Sequence, residues 1–206
     1  MNVNLDGRPL TDEFPATETL QQCVTKVREK YLGTRMVVSI AYDGQMLIDQ
    51  DLSTKLNQPI TGVGCVDLVS AEPGELVAAA FREVAARMNS TGEKYQTMAD
   101  EIQAGETTKA LTRFGEYLEM WQTCQRAILE GSGMLARDLT ELECGGRSVR
   151  AHLDDLSERL RELRGAFEAG DMVLLSDLFR YELPQTCETW GGVMQQMAGQ
   201  IEHAGA

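Results

Sequence analysis

The amino-acid sequence predicts an α+β protein, with a small sheet-containing domain at residues 1–72 and an antiparallel bundle of four long helices at residues 73–206. Two observations support this fold class. The first third of the chain has short stretches of alternating apolar and polar residues between tight turns, and the remainder has apolar residues at steps of three and four. The length of 206 residues is sufficient for two compact domains.

The amino-terminal stretch predicts a hairpin, a helix, a second hairpin, a short connection and a last strand. Asp-Gly dipeptides at residues 6–7 and 43–44 are typical of two-residue hairpin turns. The helix follows Thr19, carries its apolar residues on one face and ends at Gly33. The last strand is expected at residues 63–69, where apolar residues return after a polar connection.

This order of elements resembles the β-grasp fold of ubiquitin-like domains, and the resemblance covers about the first 70 residues. A different small α+β fold with the same strands is the alternative. The chain continues beyond the last strand instead of ending there in an exposed Gly-Gly tail. A modifier that is conjugated to other proteins is therefore not expected.

Four apolar stripes in the remaining two-thirds of the chain each predict one amphipathic helix. The stripes cover residues 77–102, 111–142, 149–167 and 175–201. The second stripe keeps its phase across the segment Gly131-Ser132-Gly133, so we expect a single helix to continue through these residues. Short connections between the stripes favour an up-down antiparallel bundle.

Local signals refine the third and fourth helices and the contact between the first two. Gly170 is expected to end the third helix, and Asp171 is a suitable N-cap for the fourth. Pro184 predicts a kink near residues 180–183. In an antiparallel pair, the alanines at residues 78–80 lie opposite the segment Gly131-Ser132-Gly133. This juxtaposition favours close helix packing, with a shallow groove as the alternative.

Composition argues against several classes of partner and location. A formal net charge of −13, with only 19 scattered basic residues, disfavours nucleic acid and anionic membranes as partners. We find no apolar stretch of about 18–20 residues and no signal peptide. The five cysteines are odd in number and form no CxxC pair, which favours reduced thiols in a cytoplasmic protein.

The sequence gives no indication of an active site, a metal site or a cofactor site. It contains no Walker loop, GxGxxG, GxSxG or HExxH motif. Its two histidines, His152 and His203, belong to no Glu-x-x-His pair of the kind that di-iron bundles use. We therefore predict no catalytic residue, no metal ligand and no cofactor.

The candidate binding surface lies on the fourth helix. Seven of the ten methionines fall in the helical part, where they either fill the core or form an adaptable apolar surface. Residues 177–184 have apolar groups on every side of the helix, so we expect either the amino-terminal domain or a partner to cover them. The predicted partner-binding residues are Leu178, Phe179, Tyr181, Trp190, Met194 and Met197.

These features lead to the hypothesis of a non-enzymatic adaptor or chaperone-like protein that binds another protein, through a helix of that partner. In general character, acidic helical proteins of this kind resemble the small export chaperones of flagellar and secretion systems. One alternative is a structural protein that self-associates as a homodimer through its long helices. The other is an enzyme or a cofactor-binding bundle.

Overall fold

The computed structural model describes residues 1–205, apart from the side chains of residues 92, 93, 116 and 205. It is a mixed α+β protein with a five-stranded sheet and several long helices, which confirms the predicted class. The chain divides into two compact units, Met1–Pro73 and Gly74–Ala206. We call them the sheet unit and the helical unit.

The sheet unit contains five strands and two helices. The strands are β1 (Asn2–Leu5), β2 (Arg8–Pro9), β3 (Met36–Tyr42), β4 (Gln45–Met46) and β5 (Cys65–Ala71). Their order across the sheet is β2-β1-β5-β3-β4, with β1 parallel to β5 and all other neighbours antiparallel. The helices are α1 (Leu20–Val27), continued by a π-helical turn (Arg28–Leu32), and α2 (Asp49–Lys55).

Both Asp-Gly dipeptides form the predicted hairpin turns. Asp6 and Gly7 have φ values of 51° and 75°, and the second dipeptide at residues 43–44 is also left-handed at both positions. Two consecutive left-handed residues define the turn that matches the twist of a hairpin. The carboxylate of Asp6 also accepts hydrogen bonds from the hydroxyl and the backbone N–H of Ser70, and these bonds lower the Asp6 pKa. The first turn is thereby fixed to β5.

Helix α1 supplies the central apolar face of the sheet unit. Thr19 caps it by accepting a hydrogen bond from the backbone N–H of Gln22, whose side chain in turn accepts from the Thr19 N–H. The helix buries Leu20, Cys23 and Val27 in a core that includes residues of β1 and β5. The core residues of this unit are Val3, Phe14, Leu20, Cys23, Val27, Leu32, Ile40, Leu47, Ile60, Val66 and Leu68.

The helical unit has more elements than the four predicted helices. Its long helices are α3 (Pro73–Asn89), α4 (Gly92–Gln103), α5 (Thr107–Met134), α6 (Val149–Ala169) and α8 (Leu183–Gly205), with the short α7 (Met172–Asp177) before α8. A 3-10 turn (Leu139–Glu141) and the hairpin strands β6 (Glu143–Cys144) and β7 (Arg147–Ser148) connect α5 to α6. Helix α4 packs against α5, α7 and α8, which places it at the centre of the unit.

The prediction of one continuous first helix is wrong, because the chain breaks between α3 and α4. The Ser90 hydroxyl donates to the backbone oxygen of Arg87 at 2.9 Å, and the Thr91 hydroxyl donates to the same oxygen at 2.6 Å. Hydroxyl groups that bond backbone groups locally compete with the hydrogen bonds of the helix. The apolar stripe nevertheless continues into α4, so periodicity alone does not reveal the break.

The predicted end of the second helix is also wrong. The helix does continue through Gly131 and Gly133, as expected, but it ends at Met134 instead of extending to Leu142. Ala136 adopts a left-handed φ of 47°, which turns the chain away from the helix axis. Leu139 and Leu142 are buried in the same core from the 3-10 turn and the residue after it, and they continue the apolar phase without being helical.

The last two helices follow the prediction more closely. Gly170 ends α6 in a left-handed conformation, and the Asp171 carboxylate caps α7 by accepting from the Leu174 N–H at 3.0 Å. In place of a simple kink, a π-helical turn (Leu178–Glu182) joins α7 to α8. The Leu183 N–H bonds the carbonyl five residues earlier. A wider turn relieves the clash between a proline ring and the carbonyl one turn before it.

Gly131 of α5 leaves room for two side chains of α3. A Cβ atom at this position would lie 2.9 Å from Cγ1 of Val77 and 3.4 Å from Cζ of Phe81. Gly115, in the same helix, has nothing within 4 Å of its corresponding position. The predicted packing of small residues against each other is not what the structure shows, because Gly131 faces the larger side chains of Val77 and Phe81. The alternative, a shallow groove, is present between α3 and α5 as an open space of about 330 Å³ whose lining includes Ala80 and Gly131.

We expect Gly131→Ala to lower the free energy of unfolding by about 1 kcal/mol, because the strain of overpacking exceeds the gain in helix propensity. The matched variant Gly115→Ala should raise it by about 0.5–1 kcal/mol, since only the propensity changes there. Urea unfolding followed by tryptophan fluorescence measures both effects. Equal stabilisation by the two substitutions would contradict the close contact.

Candidate functional site

Five of the six predicted partner-binding side chains are buried within the helical unit. Leu178, Phe179, Trp190, Met194 and Met197 are each at most 4% exposed. Tyr181 alone is on the surface, where it is 62% exposed. The sequence predicted these six side chains as partner-binding, and the five buried ones are not accessible to a partner in this conformation.

Aromatic packing explains why residues 177–184 have apolar groups on every side. The ring of Phe179 contacts Phe114 edge-on at 5.2 Å and Tyr95 at 6.2 Å between centroids. Trp190 meets Trp121 edge-on at 6.3 Å. These partners lie on α4 and α5, so the fourth helical segment is covered by its own unit.

An open cleft on the helical unit is the best candidate for a binding site. It has a volume of about 670 Å³ and lies between the second half of α5, residues 137–140 and the start of α6. Ile128, Leu129 and Leu153 provide its apolar surface. Ser132, Arg137 and Asp138 are among its polar residues. Sites of this size with a few polar groups are typical of ligand recognition.

Leu129 is the most exposed apolar side chain of the cleft. It is 73% exposed, while its neighbour Ile128 is 3% exposed and belongs to the core. Both residues are on α5, but Leu129 lies outside the stripe that predicts the buried face. The sequence signal for Leu129 is an apolar residue between the exposed Arg126 and Glu130, and the apolar stripe does not include it.

The chain reversal after α5 forms one end of the cleft. The Ser132 hydroxyl donates to the Ile128 carbonyl at 2.8 Å and accepts from the Leu139 N–H at 3.1 Å. The backbone N–H of Arg137 donates to the Ser132 carbonyl at 3.0 Å. Ser132 therefore forms hydrogen bonds with backbone groups before and after the reversal, and these bonds fix the position of residues 137–140.

At this end of the cleft, one arginine forms ion pairs and another does not. Arg150 donates to Glu141 at 2.6 Å and to Asp138 at 3.2 Å. Hydrogen bonds from the hydroxyl and the N–H of Thr140 lower the Asp138 pKa, and Arg150 lowers it further. Arg137 forms no ion pair with the side chains that the structure describes. The cleft therefore presents an apolar floor beside a cation without a partner.

The hairpin before α6 is attached to α8 by the side chains of two glutamines. Gln196 accepts from the Gly145 N–H at 2.8 Å, and Gln200 donates to the Glu143 carbonyl at 2.7 Å. His152 lies 3.0 Å from the Cys144 carbonyl through Nε2 and stacks edge-on with Trp190. This histidine is a core residue that holds the hairpin against α6.

The buried cysteines are poor nucleophiles. Burial raises the pKa of Cys124 to about 12 and that of Cys187 to about 11. Burial also raises the pKa of Cys23 in the sheet unit to about 11. These thiols are protonated at neutral pH, and the thiolate is the reactive form. Within the part of the chain that the structure describes, no group of three or more His, Cys, Asp or Glu residues could hold a metal ion.

The fold is that of a mixed α+β protein whose helical unit carries an open cleft with an apolar lining. A family profile matches residues 80–192, more than half of the chain, and this match includes the entire cleft. The chain belongs to that family, which is described as a domain of unknown function, DUF8042. No curated protein and no solved structure matches the chain. Among the described residues, no helix has both the length and the apolar character needed to span a bilayer.

Proposed function

We propose that the protein is a non-enzymatic adaptor or chaperone-like module that binds another protein through the cleft of its helical unit. The observation that carries this proposal is the exposed Leu129 in an open cleft of about 670 Å³. A partner helix can place an apolar side chain over Ile128, Leu129 and Leu153. The cation Arg137 suits a carboxylate on the same partner, because opposite charges favour the correct orientation.

We also assign a fold to each unit. The sheet unit is a β-grasp domain. This assignment is supported by the parallel pairing of β1 and β5 between two hairpins and by the packing of α1 on the sheet. The helical unit is a four-helix bundle in which the first and fourth members are interrupted, at Ser90-Thr91 and at the π-helical turn respectively. Five cysteines without disulfides favour a cytoplasmic location.

The experiment compares two substitutions at equally exposed apolar residues. Leu129→Arg places a charge in the cleft, and Val173→Arg, at a residue that is 74% exposed, places one on α7. Surface substitutions of this kind change folding stability by about 0.5 kcal/mol or less. We expect Leu129→Arg to reduce the recovery of a bound protein from native lysate at least about tenfold, since the centre of an interface carries most of its binding energy.

Two further measurements complete this test. A photo-crosslinking benzoylphenylalanine at position 129 should form a covalent adduct with the same protein, and the same probe at position 173 should not. Recovery of that protein at equal levels with wild-type chain and Leu129→Arg would contradict the role of the cleft. Circular dichroism of both variants confirms that their helices are intact.

Self-association is the second candidate, because a set of exposed apolar side chains outside the cleft lies at the turn between α6 and α7. Phe167, Met172, Val173 and Leu174 are all exposed there. A homodimer through this group would appear as a concentration-dependent mass in sedimentation, and Val173→Arg would dissociate it. A monomer across micromolar concentrations would remove this candidate.

A further inference from the structure

The outer edge of β3 is only partly covered by a neighbouring strand. Strand β4 pairs with Ala41 and Tyr42, and the Leu47 N–H then donates to the Ile40 carbonyl at 2.8 Å. Within the described residues, no strand pairs with Met36–Ser39 on this side. We call this stretch the edge slot. An uncovered strand edge offers backbone N–H and C=O groups to another extended chain.

Apolar side chains accompany the edge slot. The four residues Met36, Val38, Met46 and Ile48 are between 43% and 61% exposed. They lie on β3, on β4 and on the residues that follow β4. Added strands are recognised in two ways, by main-chain hydrogen bonds and by contacts to alternate side chains, and the edge slot offers both.

The dimensions of the edge slot favour a short peptide over a second copy of β3. Four residues of strand span about 13 Å. If two copies paired antiparallel over Met36–Ser39, Arg35 of the copy would lie beside Ile40, a place that Leu47 already occupies. A bulge between Val37 and Ser39 also twists the edge, which protects proteins against long edge-to-edge pairing.

Acidic residues lie near the end of the edge slot that β4 borders, and they indicate the charge expected on the peptide. Asp49 takes a left-handed φ of 43°, so the chain leaves the sheet directly after Ile48. Asp49 and Asp51 are exposed and form no ion pair with the described side chains. A strand that continues the line of β4 runs antiparallel to β3 and begins beside the start of α2, whose first turn contains both aspartates. A basic residue at its amino-terminal end is complementary to them.

We propose that the edge slot binds an extended segment of a partner protein as an added antiparallel strand, with a Lys or Arg preceding alternate apolar residues. This site is separate from the cleft of the helical unit and does not depend on the function proposed for that cleft. Its recognition chemistry is the main-chain hydrogen bonding of Met36–Ser39, assisted by the carboxylates of Asp49 and Asp51.

The test uses the isotope-labelled full chain and the peptide acetyl-Lys-Thr-Val-Thr-Val-Thr-amide. At about 1 mM peptide, which corresponds to weak but specific binding, we expect NMR shifts confined to the amides of Met36–Ser39 and their neighbours. Two control peptides carry N-methyl groups on alternate residues, either on both valines or on the second and fourth residues. One of these two peptides should lose binding and the other should retain it, because only every second N–H group of the added strand faces β3.

Two further measurements test the predicted charge of the peptide and the oligomeric state of the protein. Replacing the peptide lysine by glutamate should weaken binding about threefold, as expected for exposed ion pairs, and the double variant Asp49→Asn, Asp51→Asn should remove this difference. Absence of shifts at Met36–Ser39, or equal effects of the two methylated peptides, would overturn the proposal. Shifts there that depend on protein concentration alone, together with a dimer in sedimentation, would also overturn it, because the occupant would then be a second copy.

Discussion

Phe179→Ala is expected to lower the free energy of unfolding of the helical unit by about 3–5 kcal/mol, the range for truncating a buried phenylalanine. Phe179 is completely buried, and its ring contacts Phe114 and Tyr95. The substitution removes these aromatic contacts and leaves a cavity between α4, α5 and the π-helical turn, which adds to the lost transfer free energy.

Tyr181→Ala is the matched control, since Tyr181 lies two residues away in the same π-helical turn and is 62% exposed. This variant should change stability by about 0.5 kcal/mol or less. Urea unfolding by tryptophan fluorescence measures both variants, and both tryptophans, Trp121 and Trp190, lie in the helical unit. A comparable loss of stability in the two variants would contradict the assignment of Phe179 to the core and Tyr181 to the surface.

Leu68→Ala is expected to destabilise the sheet unit by about 2–5 kcal/mol, the range for a buried leucine. Leu68 is 1% exposed on β5, the central strand, where it pairs with Leu5 of β1 and Ile40 of β3. Because β5 joins the two hairpins of the sheet, a cavity at this position weakens packing on both sides.

The control for this prediction is the adjacent residue on the opposite face of the same strand. Val69 is 47% exposed, so Val69→Ala should cost about 1 kcal/mol or less, through the loss of β propensity. Native-state hydrogen exchange at the amides of β1, β3 and β5 reports on the sheet unit, which contains no tryptophan. Similar acceleration of exchange in both variants would show that the two faces are equally packed, contrary to the structure.

Features that depend on a few neighbouring residues could be predicted from the sequence. The two Asp-Gly turns, the end of α6 at Gly170 and the cap at Asp171 are all present. Each is a local preference, since left-handed φ values favour Gly and Asp and a carboxylate satisfies free N–H groups at a helix start. Such preferences act in the same way in any fold.

Helix lengths were less predictable because apolar phase does not require a continuous helix. Leu139 and Leu142 continue the stripe of α5, yet they reach the core from a 3-10 turn and the residue after it. The break after Asn89 likewise leaves the stripe of α3 and α4 in phase. Burial selects for apolar residues at a position in space, and several backbone paths can bring a side chain to the same position.

The candidate site shows the same division between local and distant causes. The sequence indicates that Phe179 and Trp190 need apolar surroundings, but it does not say whether a partner or the chain itself provides them. The structure places both against aromatic residues of α4 and α5. It leaves Leu129 exposed, a residue that the stripes did not distinguish.

The sequence by itself therefore determined the α+β class, the hairpin turns, the helix caps and the periodic faces, because these follow from intrinsic preferences of short segments. Only the tertiary structure decided which apolar side chains face the core and which remain open in the cleft and the edge slot. That decision depends on contacts between residues far apart in the chain, such as the packing of Phe179 on Tyr95, and no local pattern encodes which distant segment will cover a given face.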